Sequence, residues 1–255
     1  MVTGSCGRLC ASARSDNAGF VPHSRREAWP DRLGAATGDE VRAVGRVRRD
    51  LIVLATSLAV FAICAVVVAD GRVGPTERAV FHAVNGLPAW LYRPMLLAQY
   101  LGVLAMPLVV ALGALAFRRW RLAAALALVV PLKLVLERIP KELVQRERPG
   151  TSVPDAILRG VHPGGLSFTS GHAIITFAIA GLLVLVLPRR WGVVAFVLAS
   201  LNAVARVYLG AHNPLDVVGG AAIGLALAAA LDLVLDVAHQ RRGTRRERAT
   251  EERIT

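Results

Sequence analysis

LIVLATSLAVFAICAVVVA, residues 51–69, runs without a single charged side chain. Laid as a helix at 1.5 Å per residue, such a block covers most of the ~30 Å hydrocarbon core of a bilayer. It shows no polar face, which a helix on a soluble domain would keep toward water. Residues 51–69 therefore read as a membrane span. Five more apolar blocks follow, at 94–117, 122 to about 136, 170–187, 191–210 and 214–238. The third is short and is interrupted by Pro131. Between them, 70–93 carries Gly74-Pro75, Asn85-Gly86 and Pro88 and reads as a loop with room for one short helix, and 137–169 reads as a long polar loop. The expected fold is all-α, a six-transmembrane-helix bundle over residues 50–238. A disordered basic leader (1–49) precedes it and a basic tail (239–255) follows.

The composition agrees with this reading. The chain of 255 residues is 55% hydrophobic, and its mean hydropathy of +0.51 is too high for a soluble domain. A net charge of +12 would suit a nucleic-acid binder, but the positions of the charges argue against one. Arg42, Arg46, Arg48 and Arg49 precede the first block, and Arg241, Arg242, Arg245, Arg246 and Arg248 follow the last. Two tight turns, Arg118-Arg119 with Arg121 and Pro188-Arg189-Arg190, are also basic. Basic flanks orient spans and attract anionic lipid, and the basic side is the cytoplasmic one. Leader, both turns and tail then face the cytoplasm, and the loops at 70–93, 137–169 and 211–213 face away from it. Cys64 sits in an apolar block as a small hydrophobe, and Cys6 and Cys10 support neither a zinc site nor a disulfide framework.

Ionisable residues at span ends are functional candidates in a membrane protein. Three clusters fall on the expected outer side. KELVQRERP carries Lys141, Arg146 and Arg148, SFTSGHA carries His172, and ARVYLGAHNPLD carries Arg206, His212 and Asp216. Lys141 and Arg148 are seven residues apart, close to two helical turns, so one face can present both to a phosphate. A snorkelling basic flank is the plain alternative. Lys133 and Arg138 read as flank charges near Glu137. Ser170 stands where an N-cap belongs, and the free amides after it, with Gly171 allowing close approach, form an anion site beside His172. An ordinary capped helix would look the same. Asn213 and Pro214 look like the cap and first residue of the last span. Asp216 then lies in the first turn, able to accept a hydrogen bond from His212 and leave the other imidazole nitrogen free to attack. Complementing the helix dipole would be a lesser task for the same aspartate.

Together these residues resemble the type 2 phosphatidic acid phosphatase superfamily. Its signature is Lys-x6-Arg-Pro, then Pro-Ser-Gly-His, then Ser-Arg-x5-His-x3-Asp. Here the three parts are Lys141 to Pro149, Thr169-Ser170-Gly171-His172, and Ala205-Arg206 through His212 to Asp216. Every spacing fits, and the likeness spans about residues 95–238. Thr169 replaces the usual proline and Ala205 the usual serine, which touches affinity or substrate choice more than the reaction.

The resemblance implies a helical membrane phosphatase acting on lipid-linked phosphate or pyrophosphate through a phosphohistidine. By carry-over His212 attacks phosphorus, Asp216 orients it, and His172 protonates the leaving oxygen and then activates water. Lys141, Arg148, Ser170, Gly171 and Arg206 would hold the phosphate oxygens. No cofactor is implied, and no metal-ligand set accompanies the motifs. The expected partners are the lipid substrate and membrane lipids, with no nucleic acid. The expected place is the plasma membrane, with both termini cytoplasmic and the site outside. His23, His82, His162 and His239 match no motif; His162 lies in the loop just before the second cluster, where a loop histidine without a role is the plainer reading than a substrate contact. Two other readings stay open: a phosphotransferase passing the phosphoryl group to a sugar or lipid, and a non-catalytic transporter or scaffold that keeps the anion site.

Overall fold

The structure is a computed structural model. It describes residues 38–161 and 164–251, with side chains over 43–161 and 164–235. Most of the expected leader, the side chains of the expected tail including that of His239, and Cys6, Cys10, His23 and His162 lie outside these described residues.

The chain order is α1 (Gly38–Val67), α2 (Pro75–Asn85), α3 (Tyr92–Gln99), α4 (Met106–Ala116), α5 (Trp120–Val144), α6 (Pro149–Ser152), α7 (Gly171–Val184), α8 (Arg189–Tyr208) and α9 (Pro214–Glu251). Single 3-10 turns occupy Ala89–Leu91 and Tyr100–Gly102. Among the described residues there is no β-sheet, and one isolated antiparallel bridge joins Glu147 to Leu166.

Three helices are long and apolar enough to cross a membrane by length and composition: Ala43–Val67, Arg189–Tyr208 and Pro214–Leu235. The pair Ala89–Gly102 and Met106–Ala116, bent by 67°, makes a fourth if taken as one broken span. The sequence suggests one straight span at 94–117. Instead Val103 takes an extended backbone, and Pro107 in the first turn of α4 has no N–H to continue the ladder backward.

Other boundaries also move. α5 runs unbroken through Pro131 and Pro140 to Val144, so the expected short third span is a 25-residue helix and the loop after it shortens. α1 begins at Gly38, so the helix enters the expected leader. The expected loop at 70–93 holds α2, started by Pro75 with Glu77 in its first turn.

The outer helices turn apolar side chains outward. Ile63 and Val66 on α1, Leu112 on α4, Leu143 on α5 and Val193 and Val197 on α8 are all more than half exposed. A belt of this kind has no place in water and matches lipid. α7 is the opposite case, buried on almost every side, and α9 packs along it. The close approach depends on small residues four apart. A Cβ on Gly220 would stand 2.5 Å from the Ser170 carbonyl, one on Gly224 2.5 Å from the Ile174 carbonyl, and one on Gly181 2.7 Å from the Ala228 Cβ. The Ser170 N–H also donates to the Asp216 carbonyl at 2.9 Å. The heads of α7 and α9, which carry the second and third motifs, are thereby locked side by side.

Candidate active site

Asp216 is fully buried in the first turn of α9. Its Oδ2 accepts the Asn213 N–H at 2.8 Å, the reach-back bond of a capped helix start. The same oxygen accepts the Ser167 hydroxyl. Its Oδ1 faces Arg146 Nη1 at 2.9 Å. Arg146 is itself wholly buried and also pairs with Glu77 at the head of α2, its Nη1 lying 3.1 Å from Oε1. Glu77 in turn accepts the Leu215 N–H at 2.9 Å, and Arg146 Nη2 reaches the Arg72 carbonyl at 3.1 Å. One guanidinium thus fastens the end of the α1–α2 loop, α2, the segment after α5 and the head of α9.

His212, 2% exposed, lies in the short link between α8 and α9. Its Nδ1 is 3.0 Å from the Ser167 carbonyl and 3.9 Å from Asp216 Oδ2. A carbonyl can only accept, so Nδ1 carries the proton and Nε2 keeps its lone pair. The orienting bond expected from Asp216 therefore comes from the Ser167 backbone, and Asp216 stands behind at ion-pair distance. Burial pushes the His212 imidazole down to about 4; the carboxylate of Asp216 pulls it upward, while Arg206 and Arg148 push it further down. At neutral pH the ring is uncharged and able to act as a nucleophile.

At the head of α7, Ser170 takes the extended backbone of an N-cap, but its hydroxyl makes no capping bond and is a buried oxygen without a partner. Beside it, the place a Cβ would take at Gly171 lies 2.7 Å from Glu137 Oε1. Glu137 pairs with Lys133 and, at 2.5 Å, with Lys141. Arg138 pairs with Glu142 rather than with Glu137. The anion lying against Gly171 is thus a carboxylate of the chain itself.

Arg206, in the last turn of α8, gives Nη1 to Gln99 Oε1 at 2.8 Å. Its Nε and the Nε of Arg148 are both buried and unpaired. Both arginines lie close enough to His212 for their charges to act on it, and Arg206 acts likewise on His172. Buried guanidinium N–H groups without partners are unusual and mark a place prepared for an acceptor. Lys141 and Arg148 do not share a helix face, because Gln145 turns left-handed (φ 49°) and ends α5. Arg148 instead precedes the four-residue α6. The His172 ring rests on Gly102: a Cβ there would be 2.7 Å from His172 Cβ and 2.8 Å from Cδ2. Gly102→Ala should therefore displace His172 and lower kcat by about tenfold or more, since an ångström of misplacement can cost far more. Unchanged kcat in purified Gly102→Ala protein would refute this.

An apolar groove of about 400 Å³ is lined by Leu58 and Phe61 of α1, Ile139 and Leu143 of α5, Ile223 of α9 and Phe168. Phe168 stacks on Phe61 at 5.9 Å and is two residues from Ser170.

Residues 118–238 match the model of the PAP2 superfamily. A decaprenylphosphoryl-5-phosphoribose phosphatase of Mycobacterium tuberculosis is 35% identical over 170 residues, 62% of this chain and 90% of that protein. The chain belongs to the PAP2 superfamily. An undecaprenyl-diphosphatase of Sulfolobus acidocaldarius is 32% identical over 111 residues; the match takes in 43% of this chain and about half, 54%, of that protein. The crystal structure of a transmembrane PAP2-type phosphatidylglycerolphosphate phosphatase from Bacillus subtilis superposes with a TM-score of 0.59. It is 26% identical, and the match covers 74% of this chain and 96% of that one.

Several residues around this candidate site had no role in the sequence reading. Arg146 stood in the first cluster and Ser167 in the second, both unassigned, while Glu77 and Gln99 lay outside the motifs. Glu77 did carry a signal, a carboxylate two residues after a helix-starting proline. Ala205, the PAP2 serine position, packs among Met95, Ala98, Tyr208 and Leu209.

Proposed function

We propose that this PAP2 protein is an integral membrane phosphatase that hydrolyses lipid-linked phosphate or pyrophosphate through a phosphohistidine on His212, without metal. The observation that carries the reading is the set of unpaired buried donors, Arg148 Nε, Arg206 Nε and Ser170 Oγ, beside a neutral His212 whose Nε2 is free. Nε2 attacks phosphorus, and the phosphorus–oxygen bond to the lipid or lipid phosphate breaks. His172 gives its proton to the departing oxygen. Water then attacks the phosphohistidine, yields a proton to His172 and releases phosphate. Arg148 and Arg206 hold the equatorial oxygens as charge shifts, and Lys141 and the amides near Ser170-Gly171 join them once the phosphate takes the place of the Glu137 carboxylate.

Metal independence is favoured by the donor chemistry. Asp216 and Glu77 are engaged by Arg146, and Glu137 by two lysines. The prenyl-linked substrates in the names of two relatives, with the apolar groove ending at Phe168, favour an isoprenoid phosphate. Purified protein should release inorganic phosphate from a prenyl pyrophosphate in detergent with EDTA present. Activity lost in EDTA and restored by a divalent ion would refute the metal-free route, and no phosphate release at all would refute the phosphatase.

We also read six crossings, by α1, the bent α3–α4 pair, α5, α7, α8 and α9, with both termini cytoplasmic and the histidines on the outer side. Support comes from the basic turns at Arg118–Arg121 and Pro188–Arg190, one helix length from the site. In a cysteine-free background, an impermeant thiol reagent on intact cells should label Asp155→Cys and spare Gly243→Cys. The reverse pattern inverts the orientation.

A further inference from the structure

A second cavity, of about 630 Å³, lies at the other end of the bundle. Five arginines line it: Arg46 and Arg49 of α1, Arg118 and Arg119 from the α4–α5 turn, and Arg121 of α5. Its remaining wall is largely apolar, from Leu122 and Ala125 of α5, Leu182 of α7 and Leu185 just beyond it. Trp120 sits at the rim, 64% exposed. Trp120 and Lys141 stand near opposite ends of α5, so the cavity is about 30 Å from the phosphate site.

We infer that this cavity is a binding site for an anionic phospholipid of the adjoining leaflet, its phosphate on the arginines and an acyl chain along the apolar wall. The buried carboxylates at its back are already engaged. Asp232 pairs with Arg121 and, at 3.5 Å, with Arg49, while Asp50 takes Arg49 at 2.6 Å. Positive charge is left over toward the opening. Arg119 makes one 3.4 Å contact, to the Val186 carbonyl, and Arg118 has no ion pair among the described residues. Arg118 is also left-handed, with φ 55°, just past the end of α4. Glycine is the residue that takes such a position without strain, so the local backbone gives no reason for an arginine there.

The chain's own C-terminal stretch is a poor occupant, because Arg241, Arg242, Arg245 and Arg246 bring like charge. Inorganic phosphate would leave the apolar wall bare. A lipid satisfies both halves, and basic pockets between helices on this kind of face suit acidic headgroups.

The test uses two single-tryptophan proteins in nanodiscs, keeping either Trp120 or Trp191. Trp191 follows Arg189 and Arg190 at the same end but does not line this cavity. Brominated phosphatidylglycerol should quench Trp120 at about fivefold lower mole fraction than brominated phosphatidylcholine, the factor one basic contact at a charged membrane surface is worth. Trp191 should show a clearly smaller preference. Arg118→Gly/Arg119→Gln should bring the two lipids together at Trp120, and Arg118→Gly relieves the backbone, so loss of fold is not expected to intervene. Equal quenching by both lipids at Trp120 overturns the site. Equal preference at Trp120 and Trp191 reduces it to general surface charge. A preference erased by millimolar inorganic phosphate makes it a free-anion site and overturns the lipid.

Discussion

His212→Ala should abolish turnover and leave no phosphorylated protein, whereas His172→Ala should keep part of the first step when the leaving group is good. The asymmetry follows from the surroundings of the two rings. His212 has Nδ1 fixed by the Ser167 carbonyl at 3.0 Å, so its lone pair is presented on Nε2. A nucleophile cannot be replaced by a better leaving group, but a proton donor can. Rapid quench with radiolabelled lipid phosphate and phosphohistidine mapping checks this: label on His172, or label surviving in His212→Ala, reverses the roles. With the good leaving group, kcat/KM should hold down through the ordinary histidine range and fall only toward pH 4, because His212 stays neutral until then. An acid limb near pH 6.5 would mean that the nucleophile is not this buried ring.

Removal of one guanidinium should have the largest effect on stability. Arg146→Met leaves Glu77 and Asp216, both buried, without their shared cation. Breaking one partner out of a buried ion cluster costs about 3–5 kcal/mol, because the remaining charges stay desolvated. Thermal unfolding in detergent should show a large drop in Tm. Arg146→Lys should fall between, since an ammonium cannot reproduce the fork that meets both carboxylates. Adding Glu77→Gln to Arg146→Met should recover part of the loss. A wild-type Tm for Arg146→Met would show that the cluster does not hold the heads of α2 and α9.

Much of this architecture was legible in the residues. Long uncharged blocks have few physical readings, so the membrane and the helices followed from 51–69 and its successors. The motif spacings placed Ser170 and Gly171 on one helix head, and His212 and Asp216 just before and just inside another. Long-range placement was less legible. Glu77 meets Arg146 across 69 positions, and Gln99 meets Arg206 across 107, with no periodicity to announce either pair. The path of α5 was misjudged because Pro131 reads as a breaker, whereas on the exposed, apolar side of a helix facing lipid the lost bond has no water to compete for the chain. The one-face reading of Lys141 and Arg148 failed at Gln145, a residue with no strong turn signal.

The shortness of α7 has a consequence for where the reaction runs. Its 14 residues span about 21 Å, against roughly 30 Å for the oily layer around it. On the orientation proposed above, with its far end near the arginine-lined face, its head would lie below the level of the lipid phosphates on the opposite side. A substrate phosphate would then have to be drawn down to that head, and its tail would have to bend to follow. Host bilayer thickness would then become a variable of the chemistry: a thin membrane would bring the ester to the histidines, and a thick one would hold it away.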